Sequence, residues 1–401
     1  MAWAGTGVGR ASRQVKTCFL NARIGDELWS VRIEDTRIAD IGCAPRRGDT
    51  IVDVQGDRIY PGLINAHDHL QLNHLPEIDS RRYRRVGDWI ADIDVLRRCD
   101  PQFKALIAVA REERLLMGGV KNLLCGVTTV AHHDPLYAAL TSDDFPVHVL
   151  RHYGWSHSLQ IDGARAVGLS FRDTPPSWPW MIHAAEGVDE EAARDFAMLE
   201  RLNCIQSNTL LIHGIGMSDA QQLALEKAGA GLIWCPASNT RLFGQTAKVS
   251  RLLAQGRVAL GNDSRLSGAR DLLDELRIAK DCAGLGQAEL AALVTRNSAR
   301  LLRLSGCGEL RAGAAADILL LPSRAGLGSA RRADVRLVLK GGVVRFGDLD
   351  YAHLQDANAP CVQVLVDGIP KMLDANLALR ASQTRLREPG LELACTAWKV
   401  A

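Results

Sequence analysis

Short apolar runs separated by polar, glycine-containing turns open the chain. Between residues 17 and 60, the runs CFLNARI, WSVRI and TIVDV have strand length, and their spacing predicts several short β-strands. From Pro61 to about Ser305 the pattern changes, because strand-length apolar runs now alternate with longer stretches of helical periodicity. This alternation is typical of repeated βα units around a parallel sheet.

Seven strand candidates are recognisable in this second region, and each ends in polar residues. They are GLINAHDHL, GVTTVAHHD, VHVLRHYGW, PWMIHAAEG, TLLIHGIG, AGLIWCPASN and VALGNDSRLSG. Helical patterns such as DEEAARDFAMLERL and DAQQLALEKAG lie between them. The region has about the ~250 residues of a (β/α)₈ barrel. We therefore predict an α/β fold with a TIM-like barrel, although one strand is missing from the count.

Short strands resume after the barrel region, at GELRAGAAADILLLPS and VRLVLKGGVVRFGD. We expect the two chain ends, residues 1–60 and 306–401, to build one small β-sandwich domain beside a barrel of residues 61–305. Beyond residue 350 the pattern predicts only a strand at VQVLVDG and a helix-like NLALRASQTRL. The role of residues 351–401 stays open.

Composition and charge exclude several classes of protein. The 401-residue chain is 47% hydrophobic and 23% charged, with a formal net charge of +2. No apolar run reaches the ~18 residues of a membrane span, and the N-terminus lacks the apolar core of a secretory signal. Basic residues form no long tract for nucleic acid, and the ten cysteines include no CxxC pair. We expect a cytoplasmic protein with reduced thiols and a small-molecule substrate, without nucleic-acid or membrane partners.

Polar side chains with metal-binding chemistry end four of the strand candidates. His67 and His69 are two residues apart on an extended strand, so both face the same side, as two imidazoles sharing one ion require. His183, His213 and Asp263 end three further strands. The C-terminal ends of barrel strands are where active sites of this fold are assembled, so these groups are predicted to meet in one site.

Each of these residues also has an ordinary structural interpretation. A lone HxH pair often lies at the surface, His213 could be a core histidine bonded to backbone carbonyls, and Asp263 could cap a helix. None of these interpretations explains why all the groups share a strand-end position. Glu186 follows His183 by three residues, and a carboxylate placed there suits proton transfer.

The order of these motifs resembles the amidohydrolase superfamily, in particular its branch of cytosine deaminases, guanine deaminases and triazine hydrolases. PGLINAHDHL is similar to the family's first-strand PGxxxxHxH, GVTTVAHH to its GVTTV, IHAAEG to its HxxE, LIHG to its sixth-strand histidine and LGNDSRLSG to its last-strand aspartate. CPASN resembles the CPxSN before the last strand, and GELRAGAAADILLLP the GxLxxGxxADLVVL that returns to the β-sandwich. The resemblance spans about residues 17–345.

The resemblance implies a site for one divalent metal ion, Zn²⁺ or Fe²⁺, held by His67, His69, His183 and Asp263. Imidazole and carboxylate ligands suit either ion. Two-metal members of the superfamily use a carboxylated lysine at the fourth strand, and this chain has no lysine between residues 121 and 227. A single-metal site is therefore expected, with a bridging carboxylate left open as the alternative. Homodimers are common among such proteins, but the sequence leaves the oligomeric state undetermined.

The resemblance also implies a hydrolase acting on carbon–nitrogen bonds other than peptide bonds, most simply a deaminase of an aminated heterocycle. A metal-bound hydroxide would be the nucleophile, because the ion lowers the pKa of its water toward ~7. Asp263 would take the proton of the water, His213 would position or polarise the attacked group, and Glu186 would carry a proton to the substrate nitrogen. Ring opening of a cyclic amide, as in imidazolonepropionase-like relatives, and a non-catalytic barrel scaffold are the alternatives.

Substrate contacts are predicted at the remaining strand ends. The candidates are His133, Trp155, Asn239 and Arg265, with His132, Asp134 and Arg241 as further possibilities. The arginines would suit an anionic group. The segment QLNHLPEIDSRRYRRVGDWIADI after His69 departs from the family pattern and is predicted to set specificity.

The fourth βα unit departs from the family pattern as well. Relatives have a complete fourth strand with an APHxxY-like motif and a helix, where this chain has SHSLQIDGARAVGLSFRDTPPSWPW. Its proline-rich end excludes a regular helix, so a compressed or irregular unit is expected.

Overall fold

The computed structural model of the protein describes residues 16–78 and 81–393. Five short strands open the described chain. They are β1 (Lys16–Ile24), β2 (Glu27–Glu34), β3 (Arg37–Ile41), β4 (Thr50–Asp53) and β5 (Arg58–Pro61). β1, β2 and β3 pair antiparallel in succession, while β4 and β5 run parallel to β1. The apolar runs seen in the sequence thus form strands, with Phe19, Val31 and Ile33 buried in a common core.

Eight strands of the barrel follow. They are β6 (Leu63–Asp68), β7 (Val127–His132), β8 (His148–Val149), β9 (Gly154–Ser156), β10 (Trp180–Ala184), β11 (Thr209–His213), β12 (Gly231–Trp234) and β13 (Val258–Leu260). Strands β6 to β8 and β9 to β13 pair in parallel in sequence order. β6, β7, β11 and β12 are buried along their whole length, as expected for parallel strands covered by helices. The predicted α/β barrel is confirmed.

Backbone hydrogen bonds close the barrel between its first and last strands. The carbonyl of His67 accepts from the amides of Asn262 and Asp263, each at 3.0 Å, and the amide of His69 donates to the carbonyl of Asp263 at 2.7 Å. Gly261 permits this approach, because a Cβ there would lie 2.6 Å from the Cβ of His67. Barrel closure therefore fixes three of the predicted metal ligands relative to one another.

Helices cover the barrel strands from outside. They are α1 (Val86–Cys99), α2 (Pro101–Ile107), α3 (Arg111–Leu124), α4 (Leu159–Asp162), α5 (Ala164–Asp173), α6 (Glu190–Arg201), α7 (Asp219–Lys227), α8 (Pro236–Phe243), α9 (Ser250–Ala254), α10 (Leu272–Ala283), α11 (Gln287–Leu293) and α12 (Arg296–Leu301). Several begin at side-chain caps, such as Asp189 before α6 and Ser218 before α7, which satisfy the free amides of the first turn. Among the described residues, no helix is both long and apolar enough to cross a membrane.

The structure corrects the strand count. The single candidate VHVLRHYGW holds two strands, β8 and β9, separated by residues 150–153. The fourth βα unit is indeed short, with a three-residue strand, but α5 is a regular ten-residue helix. Only the proline-rich end of the interval is irregular. Buried Leu150 lies in the break, so hydrophobicity gave no sign of the boundary.

The C-terminal part returns to the opening strands. It contains β14 (Ile318–Leu321), β15 (Leu337–Lys340), β16 (Val343–Gly347), β17 (Cys361–Val366), β18 (Ile369–Asp374), α13 (Ala375–Gln383) and β19 (Leu391–Leu393). β14 pairs antiparallel with β5, so strands from both chain ends form one eleven-stranded sheet. The predicted strand and helix beyond residue 350 correspond to β17 and α13, while β18 and β19 were not predicted. The division into domains at residues 60 and 305 stays a proposal.

Candidate metal centre and active site

A group of buried side chains meets at the C-terminal ends of the barrel strands. One donor atom from each of His67, His183, His213 and Asp263 lies within 4.8 Å of the others. The first three residues belong to β6, β10 and β11, and Asp263 follows β13. Three imidazoles and one carboxylate are donors that Zn²⁺ and Fe²⁺ both accept. The residues present therefore fit a single divalent ion.

His69 belongs to the same cluster. Its Nε2 lies 3.3 Å from Nε2 of His183 and 3.6 Å from Oδ1 of Asp263. Nε2 of His67 lies at similar distances from the same two atoms, 3.3 and 3.4 Å. The four ligands predicted from the sequence thus converge, with His213 close beside them. The assignment of four of these five donors to the ion stays a prediction.

Unusual backbone conformations turn two of these donors toward the centre. His213 and Asp263 have positive φ angles of 72° and 58°, and Ala185, next to the end of β10, has a φ of 52°. A non-glycine residue in this region costs about 1–3 kcal/mol and persists only where the surrounding structure holds it. Here the residues lie where the chain leaves a strand, and barrel closure and buried hydrogen bonds hold them.

In His183 and His213, the ring nitrogen that points away from the donor cluster makes a contact with an oxygen. These contacts determine which nitrogen carries the hydrogen. Nδ1 of His183 lies 2.8 Å from the carbonyl oxygen of His157. Nδ1 of His213 lies 2.7 Å from Oδ1 of Asn239. Because these oxygens can only accept, each Nδ1 carries the hydrogen, and the lone pair of each Nε2 points to the centre.

Electrostatics favour neutral rings around one carboxylate. Burial lowers the pKa of His67, His69 and His183, and neutral imidazole is the form that binds a metal. For Asp263, burial alone would raise the pKa, but the neighbouring side chains of His67, His213 and His69 outweigh it and hold the pKa well below its usual range. Oδ2 of Asp263 accepts a hydrogen bond from Ser267 at 2.5 Å, which leaves Oδ1 directed at the histidines.

Glu186 is buried next to the donor cluster. Its Oε1 lies 3.4 Å from Nε2 of His213. Burial raises the pKa of Glu186 to about 7, although the neighbouring His213 opposes the shift. A carboxyl group with this pKa can hold or release a proton near neutral pH, which is the property of a general acid or base.

Asp68 stands between His67 and His69 and points to the opposite side of β6, as strand geometry requires. Its carboxylate accepts hydrogen bonds from the side chains of Asn65, Asn73, Asn122 and Lys121 at 3.0, 2.6, 2.8 and 3.2 Å. All five residues are buried. This network holds the strand that carries His67 and His69. It also explains why Lys121 can be buried, since its ammonium group pairs with Asp68.

We expect Asp68→Asn to lower the free energy of unfolding by roughly 3–5 kcal/mol, because it leaves the ammonium of Lys121 buried without a counter-charge. Urea denaturation of the metal-free protein measures the change. The double variant Asp68→Asn/Lys121→Met is the control, since it removes the unpaired charge and should recover part of the loss. A single variant as stable as the parent would contradict this role for the pair.

Arg265 contacts other parts of the protein, and its role as a substrate-binding residue stays a prediction. Its Nη2 lies 2.7 Å from Oε1 of Glu388, and its Nη1 donates to the backbone carbonyl of Asn73 at 2.9 Å. Arg332, which is also buried, binds the same Glu388 oxygen at 2.7 Å. The ion pair with Glu388 thus connects the C-terminal segment to the loop at Arg265, two residues beyond Asp263.

The polar atoms of Asn239 and His133 also contact other groups of the protein, and substrate contact by these two residues stays a prediction. Asn239 is fully buried; its Oδ1 faces His213, and its Nδ2 donates to Oγ1 of Thr246 at 3.2 Å. Both ring nitrogens of His133 lie against other groups of the protein, His67 and the carbonyl of Ser156. Each of the two side chains thus contacts one histidine of the donor cluster, His213 or His67.

The remaining candidates differ in their surroundings. Trp155 is partly exposed, with its ring edge-on to those of His133 and His157 at 5.5 and 4.9 Å, so its contact with substrate stays a prediction. Arg241 forms an ion pair with Glu77 at 2.9 Å. The other two candidates, His132 and Asp134, lie against the carbonyl of Asp68 and the side chain of Gln71.

Some functional residues were missed by the sequence reasoning. His157 follows β9 directly, and its ring lies 6.1 Å from that of His133 and 6.4 Å from that of His183. The sequence predicts one strand where the structure has β8 and β9, so the position of His157 at a strand end is not apparent from the sequence. Lys121 and Asn122 interrupt the apolar helix segment LLMGGVKNLL, and that interruption was the available signal for the buried network.

Comparison with known proteins identifies related sequences. A sequence profile of the amidohydrolase family matches residues 178–345. A 5-methylthioadenosine/S-adenosylhomocysteine deaminase from Nitratidesulfovibrio vulgaris is 24% identical over 76% of this chain and 81% of its own length. A 5'-deoxyadenosine deaminase from Methanothermobacter thermautotrophicus is 24% identical over 74% of this chain and 81% of its own length.

Solved structures share the fold. An atrazine chlorohydrolase mutant from Arthrobacter aurescens TC1, complexed with zinc and atraton, superposes with a TM-score of 0.66 at 17% identity, covering 82% of this chain and 94% of that one. An adenosine deaminase from Xanthomonas campestris with bound zinc gives a TM-score of 0.65 at 17% identity, covering 84% of this chain and 95% of that one. These likenesses support the barrel architecture.

Proposed function

Because this chain belongs to the amidohydrolase superfamily, we propose that it is a metal-dependent hydrolase that deaminates an aminated heterocycle. It acts on a carbon–nitrogen bond other than a peptide bond. The observation that carries the proposal is the buried group of three histidines and Asp263, with Glu186 beside it, at the strand ends of a barrel. Two relatives named as deaminases of adenosine-type compounds make 6-aminopurine nucleosides the first substrates to test.

We propose zinc as the ion, because two structural neighbours contain it and the donor set suits it. His67, His69, His183 and Asp263 would hold the ion. When bound, it supplies a water that loses a proton near neutral pH. Binding needs little rearrangement, since burial already keeps the rings neutral and the neighbouring histidines keep Asp263 charged.

The chain's own residues then handle the protons. Asp263 is ionised, because its pKa lies well below the usual range, and its position among the histidines assigns its carboxylate the role of proton acceptor. Glu186, with a pKa of about 7, can hold a proton at Oε1 and deliver it to the substrate nitrogen. His213 faces that oxygen with Nε2, and Asn239 fixes its orientation. Proton transfer by positioned groups contributes about 10²–10⁴-fold to rate.

A flat substrate also finds suitable surfaces. The partly exposed rings of Trp155 and His157 lie 4.9 Å apart, edge to face, beside the buried donor cluster. Aromatic faces bind planar heterocycles by stacking and by burial of apolar area. The two rings therefore support a heteroaromatic substrate.

Metal content and ammonia release test the proposal together. The protein is purified without chelators, its metal per chain is measured, and ammonia release is followed for 6-aminopurine nucleosides and other aminated heterocycles. We expect about one zinc per chain, ammonia release by the zinc-loaded enzyme, and none after the metal is stripped, because the water needs the ion to ionise near pH 7.

The other outcomes decide between the alternatives. Bound metal with no ammonia, but with a new carboxylate from a cyclic amide, would replace deamination with ring opening. A folded protein that takes up no metal would contradict the proposal and favour a non-catalytic scaffold. Reloading a stripped sample with zinc is the control for damage during stripping.

A further inference from the structure

His133 lies behind a proposed metal ligand. It directly follows β7 (Val127–His132) and is fully buried. Its Nδ1 lies 3.3 Å from Nδ1 of His67, and its Nε2 lies 2.9 Å from the carbonyl oxygen of Ser156. The first contact reaches the side of the His67 ring that faces away from His183 and Asp263. The second connects His133 to the last residue of β9.

Hydrogen positions follow from these contacts. A backbone carbonyl has no hydrogen to give, so Nε2 of His133 must be the donor toward Ser156. In a neutral ring the other nitrogen is then an acceptor, and Nδ1 of His133 accepts the Nδ1–H of His67. A doubly protonated His133 would require a buried charge, which is costly without a partner. The lone pair of His67 is thereby left on Nε2, the atom that faces His183 and Asp263.

We propose that His133 is a positioning residue that fixes the tautomer of His67 and so strengthens binding of the metal ion. The inference rests on the proposed metal site. It assigns to His67 an outer partner of the kind that His183 has in the carbonyl of His157 and His213 has in Asn239. Loss of such a partner typically weakens metal binding by about 10–100-fold. His133 therefore acts on the ion through His67 and not on the substrate.

Two substitutions separate the hydrogen bond from the packing of the ring. His133→Phe keeps a ring of similar size but has no acceptor for His67. His133→Asn loses the ring but can place Oδ1 near the original Nδ1 position. Trp155→Phe is the matched control, because the Trp155 ring contacts His133 edge-on at 5.5 Å without a hydrogen bond to it.

The affinity for zinc is measured in the full-length, stripped protein by competition with a chromophoric chelator. We expect His133→Phe to raise the Kd for zinc by about 10–100-fold, while His133→Asn and Trp155→Phe stay close to the parent. Long-range ¹H–¹⁵N correlation spectra of histidine-labelled, zinc-free parent protein should show His67 protonated on Nδ1, and that signal should change in His133→Phe.

Each other result overturns the proposal. An unchanged Kd for zinc in His133→Phe would exclude a role of the His133–His67 hydrogen bond in metal binding. Equal losses of zinc affinity in His133→Phe and His133→Asn would show that ring packing is what matters. A parent spectrum with His67 protonated on Nε2 would contradict the tautomer directly. A parent protein that binds no zinc would remove the proposed function as well, so the two failures are distinguishable.

Discussion

Replacing Asp263 with asparagine is expected to abolish turnover in a protein that stays folded. The change removes the charged donor of the cluster and the group that can accept a proton, while the amide keeps the size of the side chain. The backbone bonds that close the barrel at this residue are untouched. A fall in kcat/KM of about 10³-fold or more is expected, since loss of general base catalysis alone accounts for about 10²–10⁴-fold.

The Asp263→Asn experiment combines steady-state ammonia release, metal content and thermal unfolding. Ser267→Ala is the graded control, because it removes the hydrogen bond to Oδ2, together with a contact to Ser264, and leaves the charge of Asp263 in place. It should lose less activity than Asp263→Asn. Near-parental turnover by a folded Asp263→Asn protein would rule out both assigned roles of the carboxylate.

Glu186→Gln is expected to lower kcat by about 10²–10⁴-fold, with little change in metal content or KM. The amide can neither take up nor release a proton, although it occupies the same space beside His213. Single-turnover and steady-state rates of the zinc-loaded enzyme measure the loss. A lower kcat at an unchanged KM indicates lost proton transfer, whereas a higher KM at an unchanged kcat indicates weakened substrate binding.

The matched control for this change is Glu275→Gln. Glu275 is a second buried glutamate, and burial raises its pKa to about 8, so its carboxyl group is mostly protonated at neutral pH. Its Oε1 accepts from the amide of Ala237 at 2.8 Å, which a glutamine oxygen can also do. This variant should retain activity. Equal losses in the two variants would indicate disturbed packing and would contradict proton transfer by Glu186.

The barrel and the convergence of the ligands could be predicted because both depend on local, repeating geometry. Strand period places His67 and His69 on one face and turns Asp68 to the other. Parallel strands of a barrel end at one edge, so His183, His213 and Asp263 could be assigned to the same site. These inferences need no knowledge of which side chains meet across the fold.

Contacts between distant segments could not be predicted. Arg265 pairs with Glu388, which is 123 residues away, and nothing near Arg265 in the sequence distinguishes it from an arginine that binds substrate. His133 directly follows β7 and Asn239 lies in α8 just beyond β12, yet their polar atoms contact distant residues such as Ser156 and His213. The strand pair β8 and β9 was missed for another reason, since strands of two and three residues show no alternation.

The pairing of β5 with β14 has a consequence for folding during synthesis. Asp57 bonds to the backbone of Ser323 across 266 residues of sequence, and at ~5–20 residues per second the ribosome needs tens of seconds to make the intervening chain. Throughout that time one edge of β5 is unpaired, which exposes it to association with other nascent chains. Non-local pairing of this kind is also slow to form. The yield of folded protein should therefore depend on how rapidly the barrel segment is translated. It should also depend on how well chaperones protect the unpaired edge of β5 during that time.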